Sequence, residues 1–410
     1  MNVLFLTLSN LENINERGIY SDFLRELSKR GINIYVVFPR QKRENLPTAL
    51  TKDGNITFLK VRTGNITKTK SFIEKGISTI RLERQYLRAI KFYFKDIHFD
   101  MVIYSTPPIN FNKIIKYYRK TQNSKTYLIL KDIFPQNAVD IGLLRKNSIL
   151  YKIFRKKEIN LYKNSDYIGC MSGKNAEYIL RHNNFIEKEK VEIFPNAIEP
   201  INRREKAEKN KGILKKYNIP EEATLFIYGG NLGKPQGIDF ILDVIDNFSY
   251  VANGYLLIVG SGTEFGRIKN HIEKINSNCV SIIEALPKNE YDDLIACADV
   301  GLIFLDHRFT IPNFPSRLTS YMENSLPILA ATDANTDIKD VLLESGSGFW
   351  CESTDVKEFI KYANLLSADK DLRERMGLKA RLYLEQNYDI KDTVKILLRH
   401  IEGDTENVQK

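Results

Sequence analysis

The sequence has few cysteines and no long apolar run, and each shortage excludes a class of protein. Its 410 residues include four cysteines, which are scattered and form no C-x-x-C pair. Such cysteines are typical of reduced thiols in a cytosolic protein. No stretch approaches the ~20 apolar residues that a membrane-spanning helix needs, and the N-terminus lacks the basic start of a signal peptide. We therefore expect a soluble intracellular protein.

Histidine is also scarce, and the first strand–helix turn lacks the glycine pattern of nicotinamide enzymes. The five histidines show no H-x-x-x-H spacing, so we expect no built-in metal site and no metal cofactor. His98, which precedes a strand-like segment, is interpreted as structural. The first strand–helix turn contains only Gly18 in place of a G-x-G-x-x-G pattern, which counts against a dinucleotide-dependent enzyme.

The charge balance is basic and predicts an anionic partner. Lysine and arginine number 61 against 51 acidic residues, a net charge of +10. Much of this charge lies in residues 79–95 and 149–163, where basic and aromatic residues alternate on helix-like patterns. The basic residues are Arg81, Arg84, Arg88 and Lys91 in the first stretch, and Lys152, Arg155, Lys156 and Lys157 in the second. An anionic membrane surface fits both stretches, with solvated helix faces as the alternative. No nucleic-acid motif accompanies them, so we expect no nucleic-acid partner.

The length and the segment pattern predict two α/β domains. A chain of 410 residues is too long for one core. Both halves alternate short apolar strands with amphipathic helices, which predicts two doubly wound, Rossmann-like domains. A charged segment flanked by prolines separates them, so the domains are expected at 1–198 and 199–387, with a helix at about 388–405 returning to the first. Such domains bind ligands at the carboxyl ends of their strands, here facing a central cleft.

Two glycine-rich loops in the second half predict an anion site. The first, IYGGNLGKPQG, lies between a strand and a helix and contains Gly229, Gly230, Gly233 and Lys234. The second, VGSG, contains Gly260 and Gly262. Amides at a helix start bind anions, and lysine adds a point charge. A structural turn explains either loop alone, but two in successive units favour a nucleotide diphosphate.

A third segment, FPSRLTSYMENSLPI, adds an arginine at a helix start. Pro315, Ser316 and Arg317 precede a short helix-like pattern. The arginine is suited to bind two phosphate oxygens at once. A helix cap followed by a surface arginine is the alternative interpretation.

These motifs resemble, in their order, glycosyltransferase family 4. The resemblance rests on PNAI (195–198), YGGNLGKPQGID (228–239), VGSG, ADVGLIFL (298–305) and FPSRLTSYMENSLPI. In the first half, YSTPP (104–108) and KDIFPQNAVDIG (131–142) resemble a bacterial surface-polysaccharide subgroup that includes fucosaminyl transferases. The resemblance implies the GT-B fold and the transfer of a sugar from a nucleotide-diphosphate sugar, with retention of configuration, to a lipid-linked saccharide in capsule, O-antigen or exopolysaccharide biosynthesis. It also implies a peripheral location on the inner face of the plasma membrane.

The resemblance also implies roles for individual residues. The expected donor-binding residues are Gly229, Gly230, Asn231, Gly233, Lys234, Gln236, Gly260, Gly262, Glu284, Leu286, Pro315, Ser316, Arg317 and Ser320. The expected acceptor-binding residues are Gly18, Lys131 and Asp132. Lys234 and Arg317 are expected to stabilise the leaving diphosphate. Asp132 is the candidate acid/base or acceptor-orienting carboxylate, with a turn cap as the alternative, and Lys131 is expected to meet an acceptor phosphate.

The chain departs from the family pattern at several of these positions. Asn231 and Gln236 stand where the broad family has arginine and lysine, and Pro312 and Ser320 stand where it has a Glu-x7-Glu pair. The catalytic histidine of many relatives has no obvious counterpart. Two other functions therefore stay open at this point: a GT-B sugar-nucleotide epimerase, and a non-catalytic subunit of a polysaccharide assembly complex.

Overall fold

The chain forms two compact α/β units. The structure, a computed structural model, describes residues 1–66, 72–201 and 211–402. Unit 1 contains residues 1–199 and the segment from Ile390 onward, and unit 2 contains residues 200–389. The sequence placed these two boundaries after residues 198 and 387. The last residues of the helix expected at about 388–405 lie outside the described residues.

Unit 1 is built around a mostly parallel sheet. Its strands are β1 (Asn2–Leu6), β2 (Asn33–Gln41), β3 (Ala49–Asp53), β4 (Ile56–Thr63), β5 (Met101–Ser105), β6 (Lys125–Leu130), β7 (Tyr167–Cys170) and β8 (Val191–Ile193). In the described residues they lie in the order β3-β4-β2-β1-β5-β6-β7-β8, and β3 is antiparallel to β4. The chain reverses its direction of winding between β1 and β5. Ligands of open α/β sheets bind at the carboxyl ends of such a strand pair.

Helices cover this sheet, and the last helix of the described residues is one of them. The helices are α1 (Ile19–Lys29), α2 (Phe72–Tyr93), α3 (Asn112–Gln122), α4 (Gln136–Asp140), α5 (Ile149–Asn164), α6 (Gly173–His182) and, from the C-terminal segment, α15 (Ile390–Glu402). In α15, His400 stacks on Tyr167 with ring centroids 3.7 Å apart and contacts Glu192 at 2.9 Å. These contacts fasten the C-terminal segment to β7 and β8.

Unit 2 repeats the plan with an all-parallel sheet. Its strands are β9 (Thr224–Asn231), β10 (Gly254–Ser261), β11 (Val280–Glu284), β12 (Val300–Phe304), β13 (Ile328–Thr332) and β14 (Gly348–Glu352). In the described residues their order is β11-β10-β9-β12-β13-β14, so the winding reverses between β9 and β12. Strands β12 and β13 are buried along their whole length, as their unbroken apolar sequences predict for parallel strands covered on both faces.

The helices of unit 2 are α7 (Lys211–Lys216), α8 (Ile238–Asn247), α9 (Phe265–Ile275), α10 (Lys288–Ala296), α11 (Arg317–Glu323), α12 (Ile338–Ser345), α13 (Val356–Ala368) and α14 (Lys370–Asn387). Side chains of α8 and α13 pack on β9, β10 and β12 to form the core of this unit. Across the described ranges of both units, no helix combines the length and the apolar sequence that crossing a bilayer requires.

The strands β9 and β10 approach each other closely at their carboxyl ends. They pair from Thr224 opposite Gly254 to Asn231 opposite Ser261. A Cβ added at Gly260 would lie 2.0 Å from the carbonyl oxygen of Gly230. Because that oxygen belongs to the backbone, it cannot move aside by a rotamer change. Glycine at position 260 is therefore required by the pairing itself.

We expect Gly260→Ala to destabilise unit 2 by about 1–3 kcal/mol or more, since the added methyl group overpacks against backbone. Gly266→Ala is the matched control, because a Cβ at Gly266 in α9 meets no atom within 4 Å. That change should be neutral or stabilising by up to ~1 kcal/mol, as alanine favours helix. Urea unfolding followed by circular dichroism measures both. Equal unfolding midpoints for the two variants would contradict the close pairing.

Candidate functional site

The loop Gly229–Gly237, called the β9 loop below, leads from the carboxyl end of β9 into α8. Gly237 has a φ of +64°, in the left-handed region that favours glycine. Gln236 is buried, and its Oε1 accepts 3.1 Å hydrogen bonds from the Gly233 N–H and from Asn231 Nδ2. Two residues that the sequence predicted to bind donor, Asn231 and Gln236, therefore hold the loop in its conformation.

Two further glycines at these strand ends have protein atoms where a side chain would begin. A Cβ at Gly229 would lie 1.9 Å from the hydroxyl oxygen of Tyr291. A Cβ at Gly262 would lie 2.2 Å from the carbonyl oxygen of Leu232. Packing inside unit 2 thus accounts for these glycines without a ligand.

Arg317 lies beside Gly230 at the start of α11. Gly230 has a φ of +140°, and a Cβ there would lie 3.0 Å from Arg317 Nη2. The Arg317 Cζ lies 4.2 Å from the centroid of the Tyr228 ring. Its Nη1 is buried, with no hydrogen-bond partner in the described part of the chain. The groups that influence its charge are tyrosines, with no carboxylate among the described residues. A permanently charged guanidinium therefore stands at the end of β9 without a counterion.

Tyr321, one helical turn after Arg317, connects α11 to the strands on both sides of the switch point. Its hydroxyl donates to the Leu302 carbonyl at 3.0 Å and accepts from the Gly229 N–H at 3.3 Å. Its ring occupies the space beside Gly301, where a Cβ would lie 2.4 Å away. Burial raises the pKa of Tyr321 to about 12, so the hydroxyl stays protonated near neutral pH.

The other predicted donor residues occupy more open positions. Lys234 is exposed on a 3-10 turn within the β9 loop, and Glu284 is exposed at the end of β11, opposite Gly260. Ser316 is exposed and makes no side-chain cap on the seven-residue α11. Leu286, Pro315 and Ser320 are half-buried. The structure thus brings Arg317 to Gly230.

The tyrosines around Arg317 were missed by the sequence analysis. Tyr228 directly precedes the glycine pair and was given no role. Tyr321 stands four residues after Arg317, a spacing that places both on one side of a helix. Tyr291 comes from α10 and has no signal in the sequence, because only the fold brings it to Gly229.

In unit 1, Lys131 and Asp132 directly follow β6. Thr106, which follows the neighbouring β5, accepts hydrogen bonds at its Oγ1 from both of their N–H groups, at 3.0 and 3.1 Å. The Lys131 ammonium donates to Asn196 Oδ1 at 2.7 Å and lies 4.5 Å from the centroid of the Tyr20 ring. Burial lowers the pKa of Lys131 to about 7. The sequence analysis missed Thr106, Asn196 and Tyr20 as partners.

Asp132 is half-buried and held by an amide. Asn137 Nδ2 donates to its Oδ1 at 2.5 Å. Burial raises the pKa of Asp132 to about 6, an effect that the Asn137 hydrogen bond opposes and the nearby charge of Glu158 strengthens. Glu158 itself pairs with Arg155 at 2.6 Å. Asp132 therefore changes charge close to neutral pH, as a general base or acid requires.

Gly18 precedes α1, the helix that carries Tyr20. Its φ of 171° is extended backbone that any residue adopts. A Cβ there would find its nearest neighbour, Ser21 Oγ, at 4.0 Å. The Gly18 N–H donates to Asp22 Oδ1 at 3.2 Å. Neither backbone conformation nor packing in unit 1 requires glycine at this position, in contrast to Gly229, Gly260 and Gly262 of unit 2.

The two basic stretches form exposed surfaces of unit 1. Their charged side chains on α2, namely Arg81, Arg84, Arg88 and Lys91, are exposed. Phe92, at the end of α2, is 73% exposed, and Ile149, at the start of α5, is 81% exposed. Leu150 and Ile153 on α5 are also exposed, beside Lys152 and Lys156.

Two basic residues of the second stretch have internal partners instead. Arg155 donates to Asn183 Oδ1 at 2.5 Å in addition to its ion pair with Glu158. Lys157 donates to Asn110 Oδ1 at 2.9 Å. The sequence pattern was wrong in assigning these two side chains to the same free basic face as Lys152 and Lys156.

Comparisons with known proteins identify the fold and the second unit. Residues 210–383 match the family model of glycosyl transferases group 1. A Pseudomonas aeruginosa protein described as a probable glycosyltransferase, WbjE, is 24% identical over 383 residues, covering 92% of this chain and 91% of the relative. The prediction of a glycosyltransferase is confirmed, whereas the fucosaminyl transferase subgroup stays a prediction.

Solved structures agree over nearly the whole chain. WaaG, a glycosyltransferase involved in lipopolysaccharide biosynthesis, matches with a TM-score of 0.67 at 15% identity, over 98% of this chain and all of that one. Anabaena Alr3699/HepE, solved with UDP and glucose, matches with a TM-score of 0.68 at 12% identity, over 98% of this chain and 100% of the other. The fold is GT-B, as the sequence predicted.

Proposed function

We propose that this protein is a glycosyltransferase of group 1 that moves a sugar from a nucleotide-diphosphate sugar to a lipid-linked saccharide, with retention of anomeric configuration, during the synthesis of a capsule, O-antigen or exopolysaccharide. The observation that carries the proposal is Arg317, whose buried Nη1 has no partner among the described residues. A buried charge without a counterion is costly, so an anionic ligand at this position repays the cost. The diphosphate of the donor is such an anion.

The proposed reaction places negative charge on the leaving diphosphate. The bond from the anomeric carbon to the diphosphate oxygen breaks, and the diphosphate keeps the electron pair. The acceptor oxygen bonds to the anomeric carbon, and its proton passes to a departing phosphate oxygen or to Asp132. Arg317, Lys234 and the amides of the β9 loop stabilise the developing charge. Fixed cations perform the task that a metal ion performs in other transferases, and no cluster of potential metal ligands occurs among the described residues.

The donor is proposed to be a uridine diphosphate sugar in the first instance. HepE was solved with UDP and glucose, which supports this choice. The chain lacks the carboxylates of the Glu-x7-Glu pair, since Pro312 and Ser320 occupy those positions. Ribose recognition therefore falls to other groups, of which the exposed Glu284 at the end of β11 is one.

The acceptor is proposed to carry a phosphate that meets Lys131. The Lys131 ammonium has an amide oxygen and a ring as neighbours, which leaves its charge available to an anion. Asp132, next in the chain, is proposed to orient the acceptor hydroxyl or to exchange its proton. The open position at Gly18 allows the same acceptor to approach the start of α1.

A lipid-linked acceptor requires the protein to meet a membrane surface. The exposed basic residues of α2, together with Lys152, Lys156 and the exposed apolar residues of α5, are suited to an anionic leaflet. Each lysine or arginine near such a surface contributes about 1 kcal/mol. The proposed location is therefore peripheral, at the inner face of the plasma membrane.

Donor hydrolysis without acceptor tests the proposed donor site. We expect slow hydrolysis of one sugar nucleotide in a screen of UDP-, GDP- and CMP-sugars, and full activity in EDTA. Arg317→Ala and Lys234→Ala should each lower the rate by roughly 10- to 100-fold, through loss of about 1.5–3 kcal/mol of charge-assisted binding. Arg317→Lys should restore part of the hydrolysis rate, because lysine keeps the charge but lacks the planar guanidinium that binds two phosphate oxygens at once.

Arg267→Ala is the matched control, since Arg267 is an exposed arginine of unit 2 that pairs with Asp239. Its rate should not change. Arg317→Met should in addition leave the unfolding midpoint unchanged or raise it, because removal of an unpaired buried charge leaves no partner unsatisfied. Activity that EDTA abolishes and magnesium restores would contradict the role of fixed cations. Acceptor-free interconversion of two sugar nucleotides would point to an epimerase, and the absence of sugar-nucleotide binding to a non-catalytic subunit.

The pKa values of Asp132 and Lys131 predict a bell-shaped pH profile for acceptor kcat/KM. Asp132 must be charged to act as a base, so activity should fall as the pH drops below about 6. Lys131 must be charged to hold a phosphate, so activity should fall as the pH rises above about 7. Lys131→Arg should remove the alkaline limb, since arginine stays protonated. The acceptor is a synthetic sugar linked to an alkyl diphosphate, and the same sugar on a neutral alkyl chain should lack the alkaline limb in the unaltered protein. A limb that persists with both acceptors would contradict the role of Lys131.

Vesicle sedimentation tests the membrane surface. We expect binding to phosphatidylglycerol vesicles, weakened by salt, and little binding to phosphatidylcholine vesicles. Glutamine at Arg81, Arg84, Arg88 and Lys91 together should release the protein while donor hydrolysis continues. Serine at Ile149, Leu150 and Ile153 should reduce the part of the binding that resists salt.

The control carries glutamine at four exposed basic residues of unit 2, Lys357, Lys361, Lys370 and Arg375. It removes the same charge and should bind vesicles like the unaltered protein. If the α2 variant and the control lose binding equally, net charge alone is responsible. The helix faces are then merely solvated.

A further inference from the structure

The Arg317 guanidinium lies over the face of an aromatic ring. Buried arginines ordinarily pair with a carboxylate instead. Its Cζ lies 4.2 Å from the centroid of the Tyr228 ring. A cation at this distance over a ring is attracted by the negative face of the π system. The other groups near its charge are the hydroxyl of the same Tyr228, which also interacts with the guanidinium, and the hydroxyls of Tyr321 and Tyr291. The positive charge is thus stabilised without being neutralised.

The kind of partner decides which guanidinium donors remain available. A carboxylate binds arginine in the plane of the guanidinium and occupies two N–H groups. A ring binds the flat face and leaves the in-plane N–H groups free. At Arg317, Nη1 is buried without a partner in the described residues, and Nη2 lies beside Gly230, where a Cβ would be 3.0 Å away.

The Tyr228 ring is itself held in place by the β9 loop and the core. Its hydroxyl donates to the Asn231 carbonyl at 2.8 Å. Its ring packs beside Phe304, with centroids 5.5 Å apart, and the residue is 1% exposed. Because Tyr228 contacts both Arg317 and the backbone of the loop, the guanidinium and the loop amides are kept in a fixed relation.

We propose that Tyr228 is the positioning residue of the donor site: its ring takes the place of a counterion for Arg317, and so keeps a full positive charge and the unpaired Nη1 for the diphosphate. This inference rests on the proposed donor function. It adds a requirement for a ring at position 228 beyond the packing of Tyr228 on Phe304 in the core. A carboxylate at the same place would neutralise the cation and compete with the diphosphate for its donors.

The test measures the affinity of inorganic pyrophosphate by isothermal titration calorimetry. Tyr228→Phe keeps the ring and should stay within about threefold of the unaltered protein, whereas Tyr228→Leu and Tyr228→Met remove it and should bind about tenfold more weakly. Tyr255→Leu is the matched control, because Tyr255 is a buried tyrosine on the neighbouring β10. That variant should bind pyrophosphate normally.

A spectroscopic measurement separates positioning from a general structural role. The side-chain Nε–H resonance of Arg317, assigned by its loss in Arg317→Lys, should show an upfield ring-current shift. The shift should persist in Tyr228→Phe and disappear in Tyr228→Met. In an Arg317→Lys background, removal of the ring should cost less affinity than it does with arginine present.

The outcomes distinguish this inference from the function on which it rests. If the unaltered protein does not bind pyrophosphate, the proposed donor function fails and the inference fails with it. If it binds, but the ring-less variants bind equally well, the donor function stands and the role of Tyr228 is overturned. An equal loss in Tyr228→Phe and Tyr228→Leu would likewise overturn it, since the hydroxyl and not the ring would then be responsible.

Discussion

Half-buried cations without carboxylate partners are the constraint on which both candidate sites depend. Arg317 lies over Tyr228 in unit 2, and Lys131 lies near Tyr20 in unit 1, with an amide oxygen as its closest partner. Aromatic faces and amides stabilise a cation only in part. Each site therefore keeps positive charge that no anionic group of the described residues neutralises. The consequence differs between the two. Arginine remains charged at any ordinary pH, while burial lowers the pKa of Lys131 to about 7.

Close packing is the second constraint, and it explains the glycines at the strand ends of unit 2. The strand ends around the switch point crowd one another, so that Gly229 and Gly260 have protein atoms where a Cβ would be. Tyr321 uses the same crowding, since its ring fits beside Gly301 and its hydroxyl joins the neighbouring strands. These contacts make the floor of the site rigid, which is what pre-organised electrostatic stabilisation requires. At Gly230, a Cβ would instead lie close to the side chain of Arg317, which is a candidate functional residue.

The basic residues of α5 in unit 1 fall into two groups, one with internal partners and one exposed to solvent. On α5, Arg155 and Lys157 reach internal partners, while Lys152 and Lys156 remain in solvent beside exposed apolar residues. A run of basic residues in a sequence does not reveal this division. It follows from which side of the helix meets α6 and the neighbouring loops.

The sequence by itself determined the fold class, the order of the elements and the loops that carry the candidate site, because these depend on local periodicity and on glycine, proline and lysine at fixed spacings. It placed Arg317 and Asp132 correctly at a helix start and a strand end. Only the tertiary structure decided what these residues contact. Tyr291 comes from a helix about sixty residues away from the Gly229 that it touches, and Asn196 reaches Lys131 across a similar separation. Their partnership depends on strand order in the sheets, which brings chain segments together that no short-range pattern connects.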